Sequence, residues 1–344
     1  MWSFWVPLRW NGYRFSEESN TKFKEIQSCF LIIFLSYAIR KNMKKESFSE
    51  GVLFMLLSAT GLALTGLLGK FGLNYMDLTA LVFWRYLISF LLCILFMCSF
   101  GLFNEGFRVR DVKMHILRAF FVLTSQYCYY FYLDKNTLLN ALVLLNTGPL
   151  FIPVIERVIL KQRVGVSTWV SLAISFVGVL FVLQPDADLF IKMSWIGLLS
   201  GVAQGASQIV FGINSKTERS DLGVLYLFLF CVFFSFIPYL FWGRMEVPRE
   251  INSSLMIYWL LAGLGVASIL NQLFRAMAYQ HATPSKLSSF MYVSVLLAGL
   301  WDWFFFKNIP NTFSIIGAVL VVIGGLSKIY LRSYILSRKK HSGK

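Results

Sequence analysis

The sequence predicts an all-α integral membrane protein, with ten transmembrane helices arranged as two inverted five-helix repeats. Three observations support this fold class. Of the 344 residues, 57% are hydrophobic and only 14% are charged, against about 25% charged in soluble domains. The mean hydropathy is +0.64. One stretch, Phe120 to Leu180, recurs without gaps 146 residues later, from Val266 to Leu326.

The recurrence shows more clearly in its layout than in residue identity. Each copy has three apolar runs, separated by a short polar break and then a charged break. Among the identical equivalent residues are Gln126 and Gln272, Thr137 and Thr283, Lys161 and Lys307, Gly178 and Gly324, and Leu180 and Leu326, while Glu156 falls on Asp302. The period lies far above the 20 to 50 residues typical of solenoid repeats, so it indicates one internal duplication.

Residues 1–49 differ from the rest and are predicted to be a cytoplasmic extension. Their one apolar run, Cys29–Ile39, is too short to span a bilayer, which takes about 20 residues. Residues 1–42 are either an upstream mis-start before Met43 or a peripheral segment. An extra interfacial helix is the alternative.

Ten apolar segments follow, each close to the length that a tilted transmembrane helix needs. They are 51–70, 79–100, 114–133, 138–160, 165–184, 193–214, 222–242, 255–278, 287–306 and 312–331. The first five form the predicted repeat 51–184 and the last five form 193–331. Residues 332–344 are a basic cytoplasmic tail.

The Lys and Arg residues of the connections predict the orientation. With a cytoplasmic N-terminus, inside segments hold 24 of them, Arg118 included, and outside segments hold six. Without residues 1–42 the ratio is 18 to six. Both termini are therefore expected in the cytoplasm. The net charge of +15 reflects this bias, and no nucleic-acid partner is predicted.

An odd number of helices per copy inverts the second copy, which is typical of secondary transporters. A purely structural duplication is the alternative. The three histidines are scattered, and the chain shows no nucleophile–base pair, metal-ligand spacing or phosphate loop, so we expect no enzyme, metal or cofactor. A channel stays open as an alternative.

Polar residues at helical spacing mark the predicted substrate site. The eighth span carries Ser268, Asn271, Gln272, Arg275 and Tyr279, and the sixth carries Ser200, Gln204, Ser207 and Gln208. Such stripes turn away from lipid, and they either pack against neighbouring helices or line a water-filled cavity. The predicted substrate-binding residues are Arg85, Trp84, Gln126, Gln204, Asn271, Gln272, Arg275, Tyr292 and Trp301.

Arg85 is the central residue of that prediction, because it lies about six residues, roughly 9 Å, inside the second span. A guanidinium suits a carboxylate or phosphate. The alternatives are snorkelling to the headgroups and a structural role between helices. With amides and aromatic rings around it, the site predicts an amino-acid-like or nucleoside-like metabolite.

Glu156 and Asp302 are the candidate coupling carboxylates. Burial would raise the pKa of such a carboxylate toward neutrality and allow proton coupling. The alternative is an interfacial carboxylate paired with a neighbour. Proton or counter-substrate coupling is expected, in a monomer or homodimer embedded in the lipid bilayer.

Local motifs add a family resemblance over about residues 51–331. They are Ala80–Arg85, Asn140–Pro149, Phe274–Tyr279, Ala282–Lys286, Ser289–Tyr292, Phe304–Pro310 and Ile316–Gly317. In order and spacing they resemble the drug/metabolite transporter superfamily, in particular its ten-helix EamA-domain branch. The chain departs from the family at Gln162 and Asn308, where a glutamate is common, and at Val295, opposite Pro149.

The resemblance implies an inner-membrane carrier of small metabolites that works by alternating access. It leaves the substrate open, since the family carries amino acids, nucleotide-linked compounds, S-adenosylmethionine and drugs. A multidrug or metabolite exporter is the alternative within the family.

Overall fold

The computed structural model describes residues 9–10, 13–14, 48–99, 109–135, 138–161, 164–183, 194–215, 218–244 and 251–307, with parts of 312–327. The chain divides into two compact units, Met1–Lys45 and Glu46–Lys344. In the first unit, β1 (Arg9–Trp10) and β2 (Tyr13–Arg14) pair as an antiparallel hairpin. The all-α prediction did not anticipate it, although the sequence between the strands is Asn-Gly, the dipeptide that tight hairpins favour. The other predictions on residues 1–42 lie outside the described residues.

The described part of the second unit is built of helices. They are α1 (Phe48–Gly72), α2 (Leu78–Ser99), α3 (Val112–Lys135), α4 (Leu138–Leu145), α5 (Gly148–Val158), α6 (Val166–Leu183), α7 (Ser194–Asn214), α8 (Ser220–Trp242), α9 (Ile251–His281), α10 (Pro284–Leu287), a 3₁₀ helix (Ser288–Tyr292) and α11 (Val293–Phe306). A shorter apolar helix, Ile315–Gly324, follows and is described in part.

Six helical stretches within the described ranges are long and apolar enough to cross a membrane. They are Phe48–Gly72, Leu78–Cys98, Trp195–Asn214, Asp221–Trp242, Ile257–His281 and Pro284–Phe305. The predicted third span is the 24-residue α3, which is less apolar because it carries Lys113, His115, Arg118 and four tyrosines. The multi-pass membrane class is therefore confirmed, while the count of ten spans stays a prediction.

The fourth predicted span is interrupted in its middle. Between α4 and α5 the chain makes a turn at Asn146 and Thr147, and Pro149 then lies in the first turn of α5. A proline is tolerated there because the first backbone N–H groups of a helix have no partner. Asn146 Nδ2 donates to the Leu142 carbonyl at 2.7 Å and to Ser294 Oγ at 3.1 Å, so the break is anchored in both repeats.

The ninth predicted span is also irregular. The short α10 is followed by five residues of 3₁₀ helix before α11 begins at Val293. The 3₁₀ segment ends at Tyr292, which is 146 residues after Asn146. The irregularity therefore recurs at the equivalent position, although the second copy has Val295 in place of Pro149.

Helix α9 is the centre of the packing. In its apolar window 78% of residues are buried, against 33% in α8. Its most extensive contact is with α1, and the next most extensive contact among the described helices joins α3 to α7. A Cβ atom on Gly61 would lie 2.9 Å from the Asn271 backbone nitrogen. Only glycine therefore lets α1 and α9 approach this closely.

Candidate functional site

The polar stripe of α9 faces the interior, and its residues bond to four other helices. Ser268, Asn271, Gln272, Arg275 and Tyr279 are all buried. Their partners are Arg85 of α2, Ser58 of α1, Arg118 of α3 and Gln208 of α7. The prediction that this stripe turns away from lipid is therefore confirmed. Three buried arginines therefore lie on or against α9: Arg275 belongs to it, and Arg85 and Arg118 form hydrogen bonds with its side chains.

Arg85 is buried, with 3% of its surface exposed, and its neighbours are neutral. Its Nε donates to Ser268 Oγ at 2.8 Å, and its Nη1 donates to Gln126 Oε1 at 2.6 Å and to Tyr130 Oη at 2.9 Å. The guanidinium carbon also lies 5.2 Å from the ring centroid of Tyr86.

Arg275 is 1% exposed and less well satisfied. Its Nε donates to Ser58 Oγ at 3.2 Å and its Nη2 to Asn271 Oδ1 at 2.9 Å. Nη1 is buried without a hydrogen-bond partner among the described residues. An unsatisfied buried donor costs about 1–3 kcal/mol, more when charged, so this nitrogen is suited to bind an acceptor that arrives from outside.

Arg118 is the residue that sequence reasoning missed. It was counted among the cytoplasmic loop charges, but it lies within α3 and is 1% exposed. Its Nη1 donates to the Gly223 carbonyl at 3.2 Å and its Nη2 to Gln272 Oε1 at 2.9 Å. Its guanidinium carbon lies 3.2 Å from the ring centroid of Phe211.

Two consequences follow from the position of Arg118. Arg85 is not the only charge deep within a span, as the sequence had indicated. The inside count of basic residues falls by one, which leaves the predicted orientation unchanged. The signal was present, because Arg118 already fell inside the predicted span 114–133.

The amides form pairs that the repeat relates. Ser125 Oγ donates to Gln204 Oε1 at 3.4 Å. The residue 146 positions after Ser125 is Asn271, and the residue 146 positions before Gln204 is Ser58. These two are also hydrogen-bonded, at 2.9 Å. Equivalent positions of α1 and α7 thus contact equivalent positions of α9 and α3.

The three predicted aromatic residues contact other rings or apolar side chains. Trp84 contacts Tyr239 of α8 edge to face, with ring centroids 6.3 Å apart. Tyr292 lies in an apolar cluster with Leu172, and Trp301 lies beside other aromatic rings. All three have a buried polar atom, Nε1 or Oη, without a hydrogen-bond partner among the described residues.

Both candidate carboxylates are buried within the protein. Glu156 is 4% exposed, and its Oε1 accepts the Ser285 backbone N–H at 3.2 Å. It thereby satisfies a donor at the start of α10. Asp302 is 5% exposed and lies within electrostatic range of Lys70 at the end of α1.

Comparison with known proteins decides the family. The EamA-like transporter family matches this chain over residues 49–184 and again over residues 191–327. The chain belongs to the EamA-like transporter family. The resemblance drawn from the local motifs is thereby confirmed, and the chain is a multi-pass membrane transporter of the drug/metabolite type, a class that carries small molecules.

Individual relatives are distant but match over most of their length. A pseudopaline exporter from Pseudomonas aeruginosa is 25% identical over 82% of this chain and 96% of its own. A riboflavin transporter from Vibrio cholerae is 23% identical over 80% and 91%. An S-adenosylmethionine uptake transporter from Rickettsia bellii is 21% identical over 86% and 98%.

A solved crystal structure shares the fold. It superposes with a TM-score of 0.68 at 13% identity, covering 84% of this chain and 99% of that one. At this identity the likeness concerns the fold alone. The described residues contain no group of three or more His, Cys, Asp or Glu side chains that could hold a metal ion, and the relatives are named as transporters rather than enzymes.

Proposed function

We propose that this chain is a secondary transporter that carries a small anionic or zwitterionic metabolite across the inner membrane by alternating access. The observation that carries this proposal is the set of three buried arginines around α9. Among the described residues, none of the three forms an ion pair with a carboxylate. Both termini are cytoplasmic in this proposal.

Buried charge is costly within a membrane and therefore marks function. A guanidinium stays protonated and presents donors that match a carboxylate or phosphate. Arg85, Arg118 and Arg275 are held by amides, hydroxyls, a carbonyl and aromatic rings, which orient their charge without neutralising it. An anionic group of the substrate would supply the missing counter-charge.

The neighbouring amides and aromatic side chains favour a substrate with a polar or ring portion besides its carboxylate. Gln126, Gln204, Asn271 and Gln272 supply amides. Trp84, Tyr292 and Trp301 supply buried N–H or O–H groups that have no hydrogen-bond partner in the described part of the chain. An amino-acid-like or nucleoside-like metabolite fits this set, and S-adenosylmethionine is one example. Relatives are named both for uptake and for export, so they favour neither direction.

Local symmetry supports the proposed pair of inverted repeats, 51–184 and 193–331. Gly66 packs against Leu138, and the equivalent Gly212 packs against Pro284. Two non-glycine residues have a left-handed backbone among the described residues, Lys161 at φ 52° and Lys307 at φ 55°, and they too are 146 residues apart. The α1–α9 and α3–α7 contacts exchange under the same offset.

The remaining features complete the proposal. Glu156 and Asp302 occupy equivalent positions of the two repeats and are the proposed groups for proton or counter-substrate coupling. Residues 1–49 form a cytoplasmic extension and 332–344 a cytoplasmic tail. The protein works as a monomer or homodimer.

Counterflow in proteoliposomes tests the proposed function. Vesicles loaded with unlabelled S-adenosylmethionine, riboflavin or glutamate receive a trace of the same compound in labelled form. A carrier accumulates label transiently and saturably, because the unlabelled substrate leaving the vesicle drives exchange. Label that only equilibrates would indicate a channel, and a chemically altered label would indicate an enzyme.

A further inference from the structure

We propose that Arg118 and Arg275 together form a two-guanidinium site that binds two negative charges of the transported metabolite. The substrate class is then a small organic dianion, such as a dicarboxylate or a polycarboxylate. This inference rests on the proposed function and deepens it, because Arg118 lay outside the predicted site.

The geometry brings the two side chains to one face of α9. Gln272 and Arg275 are three residues apart, so they are neighbours on the helix surface. Arg118 reaches this face from α3, with its Nη2 2.9 Å from Gln272 Oε1. Both guanidiniums lie within electrostatic range of each other and of Tyr279, which donates to Gln208 on α7.

Two like charges within electrostatic range of each other in a buried site repel each other and lose their hydration. Replacing or compensating buried charge is therefore often stabilising. Glu156 lies within electrostatic range of Tyr279. Its Oε1 accepts the Ser285 backbone N–H, and it makes no ion pair with either arginine. The pair therefore lacks a counter-charge among the described residues.

The two arginines are nevertheless held firmly by neutral groups. The Arg118 guanidinium lies over the Phe211 ring and donates to the Gly223 carbonyl. Arg275 is fixed by Ser58 and Asn271, while its Nη1 has no partner. Fixed cations with an unused donor are organised in advance for an anion.

Access to the pair requires movement, since each arginine is only 1% exposed. Arg118 belongs to α3 and Arg275 to α9, which are equivalent helices of the two repeats. Alternating access moves one repeat relative to the other. Separation of α3 from α9 would open the site, and a bound dianion would draw the two helices together.

Thermal unfolding of the full-length protein in detergent tests the pair, with citrate as the probe and with acetate and chloride at matched ionic strength. Citrate should raise the melting temperature of the wild type more than acetate or chloride does, because it binds the folded state. Arg118→Gln and Arg275→Gln should each lose that rise. Arg157→Gln is the matched control for the loss of one positive charge, because Arg157 is exposed, and it should keep the rise.

The variants without citrate provide a second readout that a merely structural role would not give. Arg118→Gln and Arg275→Gln should melt at the wild-type temperature or above, because each relieves the repulsion. Lower melting temperatures with an unchanged citrate response would overturn the inference, and so would a wild type that does not respond to citrate. If the wild type does not respond to citrate but still shows counterflow, the two-guanidinium site is wrong and the proposed transport stands. If citrate stabilises the protein but no probe shows counterflow, the proposed transport is wrong and the anion site stands.

Discussion

Arg85 and the pair Arg118–Arg275 are equally buried but differ in how their charges are accommodated. Three neutral groups accept hydrogen bonds from Arg85. Arg275 instead has a buried nitrogen without a hydrogen-bond partner among the described residues, and it lies within electrostatic range of a second cation, Arg118. Burial alone therefore does not distinguish an arginine that holds helices together from one that binds a substrate. The count of satisfied donors and the sign of the neighbouring charge make that distinction, and they predict opposite effects on stability.

The largest effect is expected for Arg85→Ala. It leaves Gln126, Tyr130 and Ser268 without their donor, and each unsatisfied buried group costs about 1–3 kcal/mol. We expect a fall of about 3 kcal/mol in the free energy of unfolding, together with loss of uptake per folded molecule, since the charge is lost as well. Melting curves and uptake normalised to folded protein measure the two effects separately.

Arg85→Lys is the matched control for charge. It should fold and transport more weakly, because a point charge replaces the guanidinium fork. If folded Arg85→Ala protein binds substrate with wild-type affinity, Arg85 is not part of the binding site. Its role would then be structural, holding α2, α3 and α9 together.

The contact that positions Arg275 should be nearly as sensitive. In Gly61→Ala the new Cβ would lie 2.9 Å from the Asn271 backbone nitrogen, so α1 and α9 must separate. Overpacking of this kind costs about 1–3 kcal/mol. Gly165→Ala is the control, since its Cβ would be 3.7 Å from the nearest atom, Ser167 Oγ. Equal melting temperatures in the two variants would show that α1 and α9 can move apart at little cost in stability.

Gln126 and Gln272 allow the comparison to be made at equivalent positions, since each accepts a hydrogen bond from an arginine. Gln126→Leu and Gln272→Leu should each cost about 1.5–3 kcal/mol, the range for hydrogen bonds to charged groups. Only Gln272→Leu should also weaken the response to citrate. The same citrate response in both variants would contradict the assignment of the anion to the α3–α9 pair.

The smallest effect is expected at the N-terminus. A chain that starts at Met43 should insert and transport like the full chain, because the composition of residues 1–42 is foreign to the repeats. Membrane fractionation and uptake assays check this. Loss of insertion would show that the segment is needed for the structure.

The sequence predicted the inward face of α9 because polar residues at a spacing of three and four positions leave one interpretation for a helix in lipid. It did not predict the 3₁₀ segment at Ser288–Tyr292, because no proline marks it, nor the burial of Arg118. Whether a cation near the end of a span reaches water or turns inward depends on what packs against it, here Phe211 and Gln272. That information lies in the tertiary structure.

One measurement tests the central claim most directly, namely that the buried arginines select an anionic or zwitterionic metabolite. Purified protein is screened for ligand-induced rises in melting temperature, with metabolites grouped by charge. The account predicts that compounds carrying a carboxylate stabilise the wild type, and that the rise is lost when Arg118 or Arg275 is replaced by glutamine. Stabilisation by lipophilic cations alone would contradict it.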